Sequence, residues 1–159
     1  MLDQNEDVDS QDHHGQTPLS RAAKNGDDGV VKLLLERNAD VDSQDEVGQT
    51  PLFRAARNRQ DAVVKLLLDR TANVDLQDAW YGQTPLLLAV ELGDDTVVQL
   101  LLKGHANINS RGSENSIIGD HAPLSWAVKS GHEKVVKLLL DWNADIDLQD
   151  TEYGQTPLS

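Results

Sequence analysis

The phrase Gln16-Thr17-Pro18-Leu19-Ser20 recurs along this chain, and its recurrence decides the fold. All five prolines of the 159-residue sequence lie in copies of the phrase, at Pro18, Pro51, Pro85, Pro123 and Pro157. The differences between successive proline numbers are 33, 34, 38 and 34. A nearly fixed period in this range indicates a stack of similar units, each of which packs on its neighbours.

The start of each phrase predicts a helix. In the first unit, Thr17 offers a side-chain oxygen to free backbone amides, and Pro18 suits the first helical turn because no donor is needed there. A helix is therefore predicted from about Pro18 to Asn25, with Leu19, Ala22 and Ala23 on one apolar face. The paired alanines leave room for a neighbouring helix to approach closely.

A second, more apolar helix follows the first in each unit. In the first unit it is predicted from about Asp28 to Arg37, and Asn38 suits the left-handed geometry that ends a helix. In the second unit the β-branched Thr71 occupies that position, to which it is poorly suited. Short helices joined in this way cannot bury their apolar faces alone, so the sequence predicts an all-α solenoid of antiparallel helix pairs.

Several phrases together resemble ankyrin repeats: Thr-Pro-Leu, Ala-Ala, Val-Val-Lys-Leu-Leu-Leu and Asn-Ala-Asp-Val-Asp. The segment Gly-Gln-Thr-Pro-Leu-Ser-Arg-Ala-Ala is also similar in sequence to ankyrin arrays of large fungal signalling proteins. The resemblance implies L-shaped helix pairs, β-hairpin finger loops that project from them, and first helices that line a concave groove. It also implies that the chain functions by binding proteins. One departure is Ala122, which replaces the Thr of the phrase and removes its helix cap.

The period divides the chain into units. Four repeats are predicted at 15–47, 48–81, 82–119 and 120–153, and the finger of the third is lengthened. Residues 1–14 look like the end of a preceding repeat, and residues 154–159 look like the start of a following one. The sequence therefore predicts a fragment of a longer array within a larger intracellular protein, and natural shortening at the termini is the alternative.

Composition narrows the function classes. The net charge of -13 disfavours a nucleic-acid partner, because nucleic acids are bound by Lys and Arg. Apolar runs are far shorter than the ~20 residues of a membrane span, so no membrane association is predicted. The chain has no cysteine, which excludes disulfides and thiol catalysis. We expect a cytoplasmic protein, with the nucleus as an alternative.

No chemistry is predicted for this chain. The string Asp40-x-Asp42-x-x-Asp45 begins like a calcium loop, but it lacks the later Gly and Glu of such loops, so a solvated acidic loop is the better interpretation. His13 and His14 have no third metal ligand in view. The sequence shows no nucleophile with a base, and no phosphate-binding glycine loop, so we expect no enzyme activity, cofactor or metal.

Two sets of positions on the first helices point away from the predicted core. Equivalent residues of stacked units should lie side by side, about 10 Å apart. The groove is therefore predicted to be basic over the first two units and more apolar over the last two, which suits an acidic peptide or loop. The alternative is that Arg21 and Arg54 only balance the finger carboxylates Asp12 and Asp45. The first set is Arg21, Arg54, Leu88 and Trp126, and the second is Lys24, Arg57, Glu91 and Lys129.

Aromatic and branched residues extend this candidate surface. Trp126 is predicted to anchor a partner, with lateral packing on Leu88 as the alternative. Trp80 and Tyr81 lie at a fingertip, while Ile117 and Ile118 lie in the lengthened finger, where neutral insertion is the alternative. The leading hypothesis is a protein-binding module, and the second is a structural or elastic spacer without a specific partner.

The ends of the stack predict weak end-to-end self-association. Apolar residues there lack a covering repeat and should meet the opposite end of another copy. These residues are Val8 at one end and Val135, Val136 and Leu138 to Leu140 at the other.

Overall fold

The computed structural model describes residues 7–113, 121–148 and 154–157. These residues form eight α-helices and no β-strand. None of the helices within the described ranges is long and apolar enough to cross a membrane. The helices are α1 Pro18–Asn25, α2 Asp28–Glu36, α3 Pro51–Arg57, α4 Asp61–Asp69, α5 Pro85–Glu91, α6 Asp95–Lys103, α7 Pro123–Lys129 and α8 Glu133–Asp141.

The helices pair in sequence order and the pairs stack. Each odd-numbered helix packs on the even-numbered helix that follows it, and each pair also packs on the next pair. The contacts between pairs join successive first helices, α1 to α3, α3 to α5 and α5 to α7, in one layer, and successive second helices, α2 to α4, α4 to α6 and α6 to α8, in another. The predicted all-α solenoid is confirmed.

The Thr-Pro phrase begins three of the four first helices as predicted. The side-chain oxygens of Thr17, Thr50 and Thr84 each accept the backbone N–H three residues later, at 3.1 to 3.2 Å. At the start of α7, Ala122 has the same extended backbone but no side-chain hydrogen bond. One orphan amide of this helix therefore lacks the partner that its counterparts have.

The second helices end in left-handed geometry at equivalent residues. Asn38, Thr71, His105 and Asn143 have φ values between 59° and 65°. Asn visits this region readily, whereas a β-branched side chain is strained there. The predicted misfit of Thr71 is therefore a feature of the fold.

Fingers between the helix pairs close as tight turns and stack on one another. In the second finger, the Asp45 N–H donates to the Gln49 carbonyl and the Gly48 N–H donates to the Asp45 carbonyl. The Ala79 N–H of the next finger donates to the Val47 carbonyl at 2.9 Å. A Cβ on Gly48 would lie 2.8 Å from the Ala79 nitrogen, so this turn requires glycine for close approach as well as for its positive φ of 73°.

Side-chain oxygens of Asp and Asn in the loops before the fingers link successive units. Each accepts the backbone N–H of the equivalent loop in the next unit, at 2.8 to 3.1 Å. Such contacts connect the loops of neighbouring units regardless of side-chain packing in the helices. The accepting residues are Asp9, Asp42, Asp75 and Asn109, which accept from Asp40, Asn73, Asn107 and Asp145.

The core is a continuous strip of small and aliphatic side chains along the stack. At its two ends, the exposed residues differ in part from those predicted. Val135 and Leu139 are buried because the preceding pair covers them, while Leu140 is 40% exposed. At the other end Val8 is half-buried, and the exposed apolar residues are Val30 and Leu33 of α2.

Candidate functional site

The first helices and the fingers form the face on which the sequence predicts a binding groove. Four of the eight predicted positions on the helices are exposed and cationic, and two more are half-buried. Glu91 is one of the half-buried residues, and its carboxylate accepts a hydrogen bond from the Gln83 amide at 2.8 Å. The exposed cations are Arg21, Lys24, Arg57 and Lys129, and Trp126 is the other half-buried residue.

Arg54 is buried, contrary to the predicted exposure. Only 9% of its surface is accessible, and its Nε donates to Asp45 Oδ2 at 3.0 Å. A second guanidinium nitrogen of Arg54 binds the same carboxylate oxygen. The position faces away from the main core but lies beneath the finger, so the carboxylate of the finger compensates the buried charge. The charge-balancing alternative is therefore correct for Arg54.

The residues equivalent to Arg54 in the neighbouring units differ from it in burial and in charge pairing. Leu88 is 7% exposed and lies outside the main core cluster, so its predicted exposure is also wrong. Arg21 is exposed instead and forms no ion pair with Asp12 within the described ranges. The charge-balancing alternative thus does not hold for Arg21.

Trp126 lies half-buried in α7 and packs against the core. Its ring is 5.5 Å from the His121 ring, and Lys129 Nζ lies 5.5 Å from the Trp126 ring centroid, a distance that suits a cation–π interaction. The indole Nε1 is buried, and no acceptor lies within hydrogen-bonding distance among the described residues. Trp126 is therefore partly a structural residue that retains an unpaired donor.

The fingertip at the end of the second unit presents an exposed aromatic side chain. Trp80 is 65% exposed and lies edge-on to the half-buried Tyr81, with 6.4 Å between the ring centroids. The Tyr81 carbonyl accepts the Ser113 N–H from the next finger. Trp80 is thus held beside a stacked finger. Ile117 and Ile118 lie outside the described residues.

The finger carboxylates are occupied by the backbone. Asp12 Oδ1 accepts the N–H groups of Gln16 and His14, and these bonds hold the pKa of Asp12 below its usual value.

At the start of α4, partial burial raises the pKa of Asp61, and the nearby Asp94 carboxylate raises it further.

The carboxylates of the calcium-like string serve the same structural purpose. Asp40 accepts the Asp42 N–H, and Asp45 accepts the N–H groups of Val47 and Gln49. Within 7–113, 121–148 and 154–157, no three potential ligands are grouped around a metal position.

Sequence reasoning missed a cleft between α4 and α6. These helices belong to the layer of second helices, α2, α4, α6 and α8, which we call the outer layer. The lining of the cleft includes Leu68 and Leu100 together with Lys103, Gly104 and His105. The signal was available in the sequence, because residues 103–105 depart from the equivalent residues of every other unit.

Comparison with known proteins gives one kind of match. The family model described as ankyrin repeats (three copies) matches residues 1–78 and again residues 72–150. No curated protein gave a match. The narrower resemblance to arrays of large fungal signalling proteins stays a prediction.

Proposed function

Because this chain belongs to the ankyrin repeat family, whose members generally act as protein–protein interaction modules, we propose that it binds a partner protein through its first-helix face. This name covers the exposed surface of α1, α3, α5 and α7 together with the finger loops. The four units predicted at 15–47, 48–81, 82–119 and 120–153 would each contribute one helix and one finger.

The observation that carries the proposal is a group of exposed cations on an acidic chain. Arg21, Lys24 and Arg57 are exposed, and none of them forms an ion pair within the described part of the chain. The net charge is -13, so the rest of the surface would repel an acidic partner that this group attracts. A partner segment rich in Asp or Glu fits this end of the face best.

The other end of the first-helix face offers aromatic surface. Trp126 is half-buried and presents part of its ring beneath Lys129, and Trp80 extends from the fingertip. Aromatic residues of this kind are common anchors of protein interfaces. We therefore expect the partner to contact the basic end with acidic groups and the Trp126 end with an apolar group.

Site-specific photo-crosslinking in an extract of the source cells tests the proposal. A crosslinker placed at Lys24, on α1, should capture a discrete partner, whereas one placed at Lys32, on the outer helix α2, should not. The triple change Arg21→Glu, Lys24→Glu and Arg57→Glu, made with the crosslinker at Lys129, should reduce capture about tenfold or more. Capture by the unchanged face should also fall as salt is raised.

A matched control separates location from net charge. The triple change Lys32→Glu, Lys134→Glu and Lys137→Glu alters the net charge equally but lies on the outer helices, so it should leave capture unchanged. Equal losses in both triple variants would contradict the proposal. A complete lack of specific capture at Lys24 and at Lys129 would favour the structural or elastic spacer instead.

A further inference from the structure

The outer layer carries a cleft between the C-terminal ends of α4 and α6. Its volume is about 480 Å³, within the range of ordinary ligand sites. Leu68, Leu100 and the buried Ala72 provide apolar surface, while Lys65 and Lys103 lie at its border. We call this feature the outer cleft. It is formed by the second helices and the turns after them, and it does not include the first-helix face.

A glycine accounts for the open space in the outer cleft. Gly104 stands where the other units have Arg37, Arg70 and Trp142. Gly104 has no left-handed backbone geometry that would require glycine, because its φ is -79°. A Cβ at this position would lie 2.8 Å from Leu68 Cδ2, so any larger residue would push Leu68 or fill the cleft itself.

The residues on either side of Gly104 change the charge of the border. Lys103 replaces a carboxylate that the other units carry at Glu36, Asp69 and Asp141. His105 takes the helix-ending position and is exposed at the border of the cleft. Among the described residues, Asp69 is the one carboxylate that lines the cleft, against the two lysines. The border is therefore locally basic on a strongly acidic chain.

Three consecutive residues, 103–105, thus differ from their equivalents in the other units, and all three lie at the outer cleft. They remove bulk, reverse a charge and add an imidazole, while the Val-Val and Leu-Leu-Leu positions of α4 and α6 match those of the other units. The neighbouring cleft between α6 and α8 lacks this combination, since it is lined mainly by charged and polar side chains on both helices.

We propose that the outer cleft binds an acidic peptide segment with an aliphatic side chain. The aliphatic group would cover Leu68 and Leu100, and the flanking carboxylates would meet Lys65, Lys103 and His105. The charged side chains at the border are solvent-exposed, which favours a segment lying along the surface over an enclosed small molecule. This site is separate from the first-helix face and does not depend on the function proposed for it.

Heteronuclear NMR of the isotope-labelled chain tests this site directly. The probe is a blocked hexapeptide with two leucines flanked by glutamates, compared with the same peptide carrying glutamines. The acidic peptide should shift the amide resonances of Thr71, Gly104 and His105 with saturation, and the glutamine peptide should bind about tenfold more weakly or not at all. Raised salt should weaken the binding of the acidic peptide, because the charged side chains at the border of the cleft are exposed to solvent.

Two sets of variants decide the outcome. Gly104→Arg, which restores the residue of the first two units, should weaken peptide binding about tenfold or more without unfolding the chain. Lys65→Glu with Lys103→Glu should weaken it similarly, whereas Lys32→Glu with Lys134→Glu, of equal charge change, should not. The changes Arg21→Glu and Lys24→Glu on the first-helix face should also leave this binding intact. Each proposal can therefore be contradicted without affecting the other.

Three results would overturn the proposal. The first is the absence of saturable shifts at Thr71, Gly104 and His105. The second is binding that Gly104→Arg does not change. The third is tighter binding of octanoate than of the peptide, which would make the cleft a site for a small carboxylic acid.

Discussion

Asp45, near the end of the first unit, joins its finger to helix α3 of the second unit through one carboxylate. Its Oδ1 accepts the N–H groups of Val47 and Gln49 in the finger, and its Oδ2 accepts the Arg54 guanidinium from α3. Asp12, in the preceding finger, makes the equivalent backbone contacts, but Arg21 of the first unit remains exposed. One position of the repeat thus serves structure in one unit and offers a free cation in another.

Thr71 is a second residue whose conformation has an energetic consequence. Left-handed geometry costs an ordinary L-residue about 1 kcal/mol or more, and Asn tolerates it better. We expect Thr71→Asn to stabilise the chain by about 1 kcal/mol, measured as a higher denaturant midpoint with an unchanged slope.

The matched control for Thr71 reverses the change in another unit. Asn38 has φ 60°, close to the 59° of Thr71, and both side chains are exposed. Asn38→Thr should therefore lower the free energy of unfolding by a similar amount. A neutral result for Thr71→Asn would show that its backbone is not strained.

At the scale of the element, α7 is the least well-supported of the four first helices. It lacks the side-chain cap that begins α1, α3 and α5. The Ser125 hydroxyl is buried and has no partner among the described residues, as is also true of Trp126 Nε1. Unequal helices of this kind make local opening of the stack uneven, since each unit is supported only by its neighbours.

The missing cap can be restored by one substitution. Ala122 is buried and has the same extended backbone as the three capping threonines, so a Thr side chain should reach the Ser125 N–H. We expect Ala122→Thr to stabilise the chain by about 1 kcal/mol and to slow amide exchange in α7.

Thr50→Ala provides the opposite change at an equivalent position. The Thr50 hydroxyl accepts the Phe53 N–H, so its removal should cost about 1 kcal/mol and speed amide exchange in α3. If Ala122→Thr proved neutral or destabilising while Thr50→Ala cost stability, the backbone at α7 would differ from that of the other units.

At the scale of the whole molecule, each end of the stack exposes apolar residues whose equivalents in the inner units pack against a neighbouring unit. Val30 and Leu33 of α2 are 48% and 53% exposed, whereas their equivalents Val63 and Leu66 are buried and half-buried. At the other end, Leu140 is 40% exposed, while the equivalent Leu102 is 3% exposed. The two faces have the shapes that neighbouring units use to pack on each other.

We therefore predict weak head-to-tail association of this chain in sedimentation experiments at high concentration. Val30→Glu with Leu33→Glu should block one face, and Leu140→Glu with Trp142→Glu should block the other. Each double variant alone should be monomeric, because association needs both faces. A mixture of the two should form a one-to-one dimer that does not grow, since each contributes one intact face.

The exposed Trp80 supplies the control for this association. Trp80→Glu removes apolar surface away from both ends, so it should leave association unchanged. Strictly monomeric behaviour of the unchanged chain, or a failure of the two double variants to pair, would show that the end faces do not recognise each other.

Local features of the fold were predictable from the sequence, while much of the site was not. The bounds of α1, the Thr caps and the left-handed end at Asn38 depend on residues within a few positions of each other. The burial of Arg54 depends on where the finger places Asp45. An angular pattern on one helix contains no information about what covers it.

The sequence by itself determined the period, the helix pairs, their caps and the acidic balance, because these follow from spacing and from contacts inside one unit. Only the tertiary structure decided which outward positions lie in solvent, which lie under a finger, and where a cleft opens. Gly104 illustrates the division, since the residue is visible in the sequence, but its effect depends on Leu68 of the preceding unit. In a stack, the surface of each unit is shaped by its neighbours, and that relation appears only when the units are assembled.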